Sequence, residues 1–218
     1  MNHQSNHNSS LTIRTSEVTI RRVAGGALPV ALTAGALWAA AAIGRIAIPG
    51  TPVPITLQTL VLMIAAVTLD WRRVASAVAL YLTMGLCGLP VFSGGMSTAA
   101  LVGPTCGFLY AFLPAGIVTS LLGALIVRFA SRNGINGHIH STRAAALMPI
   151  VVFLGYFLAC ALGCVLLQDG VGVLVQAATT HAPLKPLAMA SSAFLPGDLL
   201  KAALAASLAT PIALAKLR

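Results

Sequence analysis

The sequence predicts an all-α integral membrane protein, a bundle of six transmembrane helices. Three observations carry that expectation. Of 218 residues, 58% are hydrophobic and only 8% are charged, where a soluble domain carries about 25% charged residues. The apolar residues fall in long runs, and at roughly 20 residues per span the length allows about six helices and little else. The basic residues behind the formal net charge of +9 cluster at alternate ends of those runs, as in cytoplasmic loops. Membrane topology therefore accounts for the charge, and a nucleic-acid face is not implied.

Residues 1–20 read as a disordered cytoplasmic tail and 21–218 as a single transmembrane domain. Met1 to Glu17 is polar and rich in Asn, Ser and His, without the charged start, short apolar core and cleavage site of a signal peptide. The first span, about Val23 to Ile46, carries trains of small residues four apart: Ala27, Ala31, Gly35 and Ala39, and also Ala36, Ala40 and Gly44. That spacing lets helices approach closely in lipid. It suits packing within the chain and docking of a partner equally.

Arg45 ends the span. Pro49, Pro52 and Pro54 then forbid regular helix and favour an extended, rigid connection. Thr56, Gln58 and Thr59 open the second span, about Ile55 to Leu69. Threonines at a helix start usually cap it, whereas Gln58 follows the cap position and both donates and accepts. Asp70-Trp71-Arg72-Arg73 makes a charged turn before the third span, about Val74 to Leu86. The segment from Gly85 to Met96 is apolar, uncharged and studded with Gly and Pro. An exposed loop would be more polar, so it reads as irregular backbone packed into the protein, a lid over a cavity. No phosphate-loop pattern occurs.

The fourth span runs from Gly103-Pro104-Thr105 to about Phe129, and the fifth from about Ala144 to Leu167, with a basic loop between them. His138 and His140 in that loop have no Cys, Asp or Glu nearby to complete a metal site, and the four cysteines read as small packing residues. Gln168 to Lys185 reads as a loop with some apolar content, or as an amphipathic piece lying at the interface. The sixth span holds Phe194-Leu195-Pro196-Gly197-Asp198-Leu199-Leu200-Lys201. Asp198 and Lys201 are three apart and share a helix face. A charge at membrane depth costs at least a few kcal/mol and faces a bundle interior or wet cavity. The pair is thus either a structural lock or part of a buried polar ligand site.

Ten Lys and Arg fall on one side (Arg14, Arg21, Arg22, Arg72, Arg73, Arg128, Arg132, Arg143, Lys216, Arg218), two on the other (Arg45, Lys185), and Lys201 lies inside a span. That asymmetry puts both termini in the cytoplasm. Arg45, Thr56, Gln58, the glycine-rich lid with Gly94, and the Asp198–Lys201 pair then converge on one pocket open to the outer side. One acid, two cations and an amide suit a small zwitterionic or hydrogen-bond-rich ligand, with Phe92 or Tyr156 to cover an apolar ring. There is no nucleophile–base pair, no metal cluster and no nucleotide site, so neither enzyme nor self-contained ATPase is expected.

Four blocks together resemble the BioY family: Pro52-Val53-Pro54-Ile55-Thr56-Leu57-Gln58-Thr59, Gly88-Leu89-Pro90-Val91-Phe92-Ser93-Gly94-Gly95, Gly103-Pro104-Thr105 with Gly107-Phe108, and Phe194 to Lys201. These are the biotin-specific substrate-binding (S) components of energy-coupling factor (ECF) transporters, and the resemblance spans roughly residues 20 to 215. It implies a six-helix bundle in the cytoplasmic (inner) membrane. The bundle would capture biotin from outside as a transported substrate, with no cofactor. A transmembrane coupling protein and ABC-type ATPases would be its partners. The resemblance puts Asp198 and Lys201 on the ligand. It also gives the first helix an A-x-x-x-A-type docking surface, for which Ala27, Ala31, Gly35, Ala36 and Ala40 offer several registers. Cys106 stands where the family commonly has Gly. The alternatives are an S component for another vitamin, disfavoured by few aromatics and surplus cations, and a self-sufficient secondary transporter, disfavoured by the lack of an internal repeat.

Overall fold

The computed structural model describes residues 26–46, 53–135 and 142–217. The 1–20 tail, Pro49, Pro52, His138 and His140 lie outside them. All regular structure among the described residues is helical. In order these are α1 Gly26–Ala42, α2 Gln58–Thr68, α3 Trp71–Leu86, α4 Thr98–Val102, α5 Cys106–Ile135, α6 Thr142–Cys160, α7 Gln168–Thr180, α8 Leu184–Ser191 and α9 Leu195–Leu217.

Three continuous helical stretches are long and apolar enough to cross a membrane: Cys106–Arg132, Leu147–Thr180 and Leu184–Leu217. The α2 helix is shorter than the sequence suggests. Its start is delayed because Ile46 and Ile55 pair as an isolated antiparallel bridge, with reciprocal amide–carbonyl bonds of 3.0 and 2.9 Å. The proline-rich connection is therefore extended at both ends, as Pro54 favours. Asp70 begins α3 as its N-cap, Oδ1 accepting from the Arg72 and Arg73 amides. This satisfies two of the four free amides of a helix start.

The expected loop from Gln168 to Lys185 is instead helix. The chain runs from α6 through a wider π-helical stretch, Ala161–Leu167, straight into α7, and turns only at His181, which takes a left-handed conformation. Close packing holds α7 in place. Gly107 on α5 faces Val175 and the Gly172 carbonyl, and Gly172 lies against the Phe108 ring, with no room for a Cβ at either glycine. The polar Gln168-Asp169-Gly170 run only imitates a span end.

The core sits where α9 meets α2 and α6. Ala202, Ala205, Ala206, Ala209 and Ala213 form a buried stripe of small residues on α9, the pattern that lets backbones approach closely in lipid. Of the four cysteines, Cys106, Cys160 and Cys164 are buried as packing residues, while Cys87 is exposed just past α3.

Candidate functional site

Pro196 and Gly197 do not interrupt the last helix but lie in its first turn, following a short 3₁₀ turn at Ser192–Phe194. That start sets Asp198 and Lys201 one turn apart on the buried face, at 5% and 8% exposure. The Lys201 ammonium donates to Asp198 Oδ1 at 2.8 Å, to Thr59 Oγ1 at 2.9 Å and to the Thr56 carbonyl at 2.7 Å. Thr59 Oγ1 in turn donates to Asp198 Oδ1 at 3.1 Å. An ammonium has three protons, and all three are engaged. Lys201 therefore ties α9 to the start of α2 and orients the carboxylate.

This pair forms one wall of a cavity with about 660 Å³ of empty space, partly continuous with solvent. Thr56 contributes from the segment just before α2, Gln58 and Thr59 from its first turn, Phe92 and Ser93 from the glycine-rich segment, and Gln168 and Asp169 from the start of α7. The rings of Phe92, Phe108, Phe112 and Phe194 supply apolar wall, with Phe108 and Phe194 edge to face at 6.2 Å between centroids.

The glycine-rich segment is irregular backbone packed inward, with Val91, Phe92 and Ser93 buried. Gly85 has no Cβ because the Phe92 ring occupies that space, and Tyr81 meets the same ring edge to face at 5.2 Å. The Tyr81 hydroxyl donates to the Val91 carbonyl at 3.0 Å and accepts from the Gln58 amide. The Gln58 carbonyl oxygen accepts from Thr56 Oγ1. Gln58 thus lines the cavity while fastening α2, α3 and the loop to one another.

Arg45 and Gly94 meet each other rather than the cavity. The Arg45 guanidinium lies against Gly94, whose φ of 76° also favours glycine. Both are exposed, on the outward side of the loop that presents Phe92 and Ser93 inward. Tyr156 is a correction: it is a core residue facing Gly123 on α5 and lines no part of the cavity. It precedes Asp169 by some 20 Å of helix axis at about 1.5 Å per residue. Sequence reasoning missed Gln168 and Asp169, whose polarity was read as the end of a span. On α1, Ala27, Ala31, Gly35 and Ala36 are exposed, whereas Ala40 is buried at 3%.

The arrangement is that of a solute-binding membrane bundle: long apolar helices around a cavity walled by aromatic rings and a few buried polar groups, without a catalytic constellation among the described residues. Its fold is shared with a solved structure described as the S-component for biotin from an ECF-type ABC transporter. The TM-score is 0.71 at 23% identity, over 88% of this chain and 92% of that one. The BioY family model matches residues 10–217, and the chain belongs to the BioY family. Relatives include the biotin transporter BioY of Rhizobium etli, 34% identical over 72% of this chain and 76% of the relative. That of Rhodobacter capsulatus is 34% identical over 77% and 83%. The biotin transporter BioY2 of Lactococcus lactis is 49% identical over a shorter stretch, 41% of this chain and 50% of the relative.

Proposed function

We propose that this protein captures biotin at the outer face of the cytoplasmic membrane, as the substrate-binding component of an ECF-type importer. The observation that carries the reading is the buried Asp198–Lys201 pair on the wall of the cavity, in a chain of the BioY family. Asp198 Oδ1 is taken up by Lys201 and Thr59, so the other carboxylate oxygen accepts a ureido N–H of the ligand. Lys201 holds the acid in place. Phe92, Phe108 and their neighbours cover the fused rings. Arg45, stacked on the outward side of the loop, meets the carboxylate tail.

Six segments span the membrane in this reading, α1 to α3 making up those that are short in the structure. Both termini face the cytoplasm, by the distribution of Lys and Arg. Residues 1–20 are a cytoplasmic tail outside a single transmembrane domain. The exposed small-residue face of α1 through Ala27, Ala31 and Gly35 is the docking surface for the transmembrane coupling protein, and cytoplasmic ABC-type ATPases supply the energy. Ala36 lies off that stripe, and Ala40 packs within the bundle.

Equilibrium binding of labelled biotin to the purified protein, wild type beside Asp198→Asn and Lys201→Ala, tests the reading. Tight binding lost in both variants is expected. No binding by a folded wild-type protein would sink the assignment, and tight binding untouched by either substitution would return the pair to a structural lock.

A further inference from the structure

The long helix through α6 and α7 keeps one buried stripe with a spacing of four: Tyr156, Cys160, Cys164, Gln168, Gly172 and Gln176. A regular α-helix turns about 100° per residue, so each step of four drifts about 40°, and five steps would carry the stripe about 200° around the axis. The wider stretch at Ala161–Leu167 takes up part of that drift. Thr119 of α5 presses into the helix where Gly163 leaves space, its hydroxyl 3.4 Å from the Ala159 carbonyl and 3.3 Å from Cys164 Sγ. A side chain set against the backbone ladder in this way is a common companion of wider helical turns. Gln168 and Asp169 follow at once, and both are turned to the cavity.

Their acceptor atoms are unsatisfied. Gln168 Oε1 and Asp169 Oδ2 are buried and have no hydrogen-bond partner, and Gln168 is only 3% exposed. A buried acceptor left unpaired costs about 1–3 kcal/mol, more when charged, so such atoms facing a ligand cavity await donors. The charged neighbours of Asp169 are Asp198 and Lys201. With two carboxylates and one ammonium, this wall disfavours a third carboxylate.

We infer that Asp169, assisted by Gln168, is a second acceptor for the ligand, facing the N–H that Asp198 does not take. The inference rests on the biotin reading. A cyclic urea carries two N–H groups, and the cavity offers each an acceptor from a different helix, α7 and α9. The neutral bicyclic ring therefore lies between the two acids, and the carboxylate tail points away from them toward Arg45. Asp169 is in this sense a specificity residue: it selects rings with two N–H donors over analogues with one.

The test is equilibrium binding to the full-length protein in detergent of biotin and of two analogues, each methylated on one ureido nitrogen. Wild type is compared with Asp169→Asn and Asp169→Ala. Loss of the buried acceptor is expected to weaken biotin about 10- to 100-fold in Asp169→Ala. One methylated analogue should lose a similar factor in wild type and little more in Asp169→Ala, while the other loses equally in both. Should a variant fail to fold, wild type alone decides, since both analogues must then bind worse than biotin. Biotin binding within twofold of wild type in both variants overturns the inference, as does either analogue binding wild type as well as biotin. A folded wild type that binds no biotin overturns the functional reading, and the inference with it.

Discussion

Lys201 Nζ donates to Asp198 Oδ1 at 2.8 Å within one turn of α9, with the two side chains 10% and 7% exposed. Removing either partner of a buried pair strands the other, at about 3–5 kcal/mol, whereas replacing both with apolar groups of similar size is often neutral. Lys201→Met should therefore lower the thermal unfolding temperature sharply. The double variant Asp198→Leu/Lys201→Met should recover most of that stability without recovering biotin binding. Unfolding scans with binding isotherms on the same preparations check this. A double variant as unstable as the single one would show that Thr56 and Thr59 depend on the ions themselves.

This pair was legible from sequence because a chain with 8% charged residues shows every buried ion against an apolar background. The glycine-rich segment was legible for the opposite reason, its lack of charge. Gln168 and Asp169 were hidden because the helix runs on through a wider turn that packs against Thr119, some 50 residues earlier in the chain. Hydropathy reads their polarity as a boundary. The α1 registers were also beyond periodicity, which finds Ala31 and Ala40 equally small but cannot tell that only the latter is buried. Tyr156 was misplaced because membership of a span says nothing about depth along it.

Tyr81 connects Gln58 to the loop through its hydroxyl. Tyr81→Phe leaves the buried Val91 carbonyl without a donor and should cost about 1–3 kcal/mol. Since Phe92 follows immediately and lines the cavity, biotin affinity should fall along with stability. Titration calorimetry beside a denaturation series measures both. Reduced stability with unchanged affinity would mean that the loop holds its shape without Tyr81.

Gly85 is a more severe test of the same contact. An alanine methyl there would occupy the volume of the Phe92 ring, and overpacking of this kind costs typically about 1–3 kcal/mol. Gly85→Ala should push Phe92 toward the cavity and weaken ligand binding. The added variant Phe92→Leu should restore stability in part, because the smaller side chain makes room. If Gly85→Ala alone matches wild type in both readouts, the inward packing of the loop is looser than the structure describes.

Arg45 is exposed and touches Gly94 on the outward side of that loop, a position suited to an incoming carboxylate and to little in the core. Arg45→Ala should leave the unfolding temperature nearly unchanged, since surface substitutions usually stay within about 0.5 kcal/mol. Its effect belongs to the ligand's tail. Biotin should bind about tenfold more weakly, in line with loss of one charge-assisted contact of roughly 1.4 kcal/mol. Biotin amide, which lacks the carboxylate, should bind wild type and variant alike. The salt dependence of biotin binding should also flatten in the variant, because an exposed ion pair is screened over about 10 Å at 0.1 M salt. If biotin and its amide lose affinity equally, Arg45 acts by holding Gly94 and the loop in place, and the tail is met elsewhere.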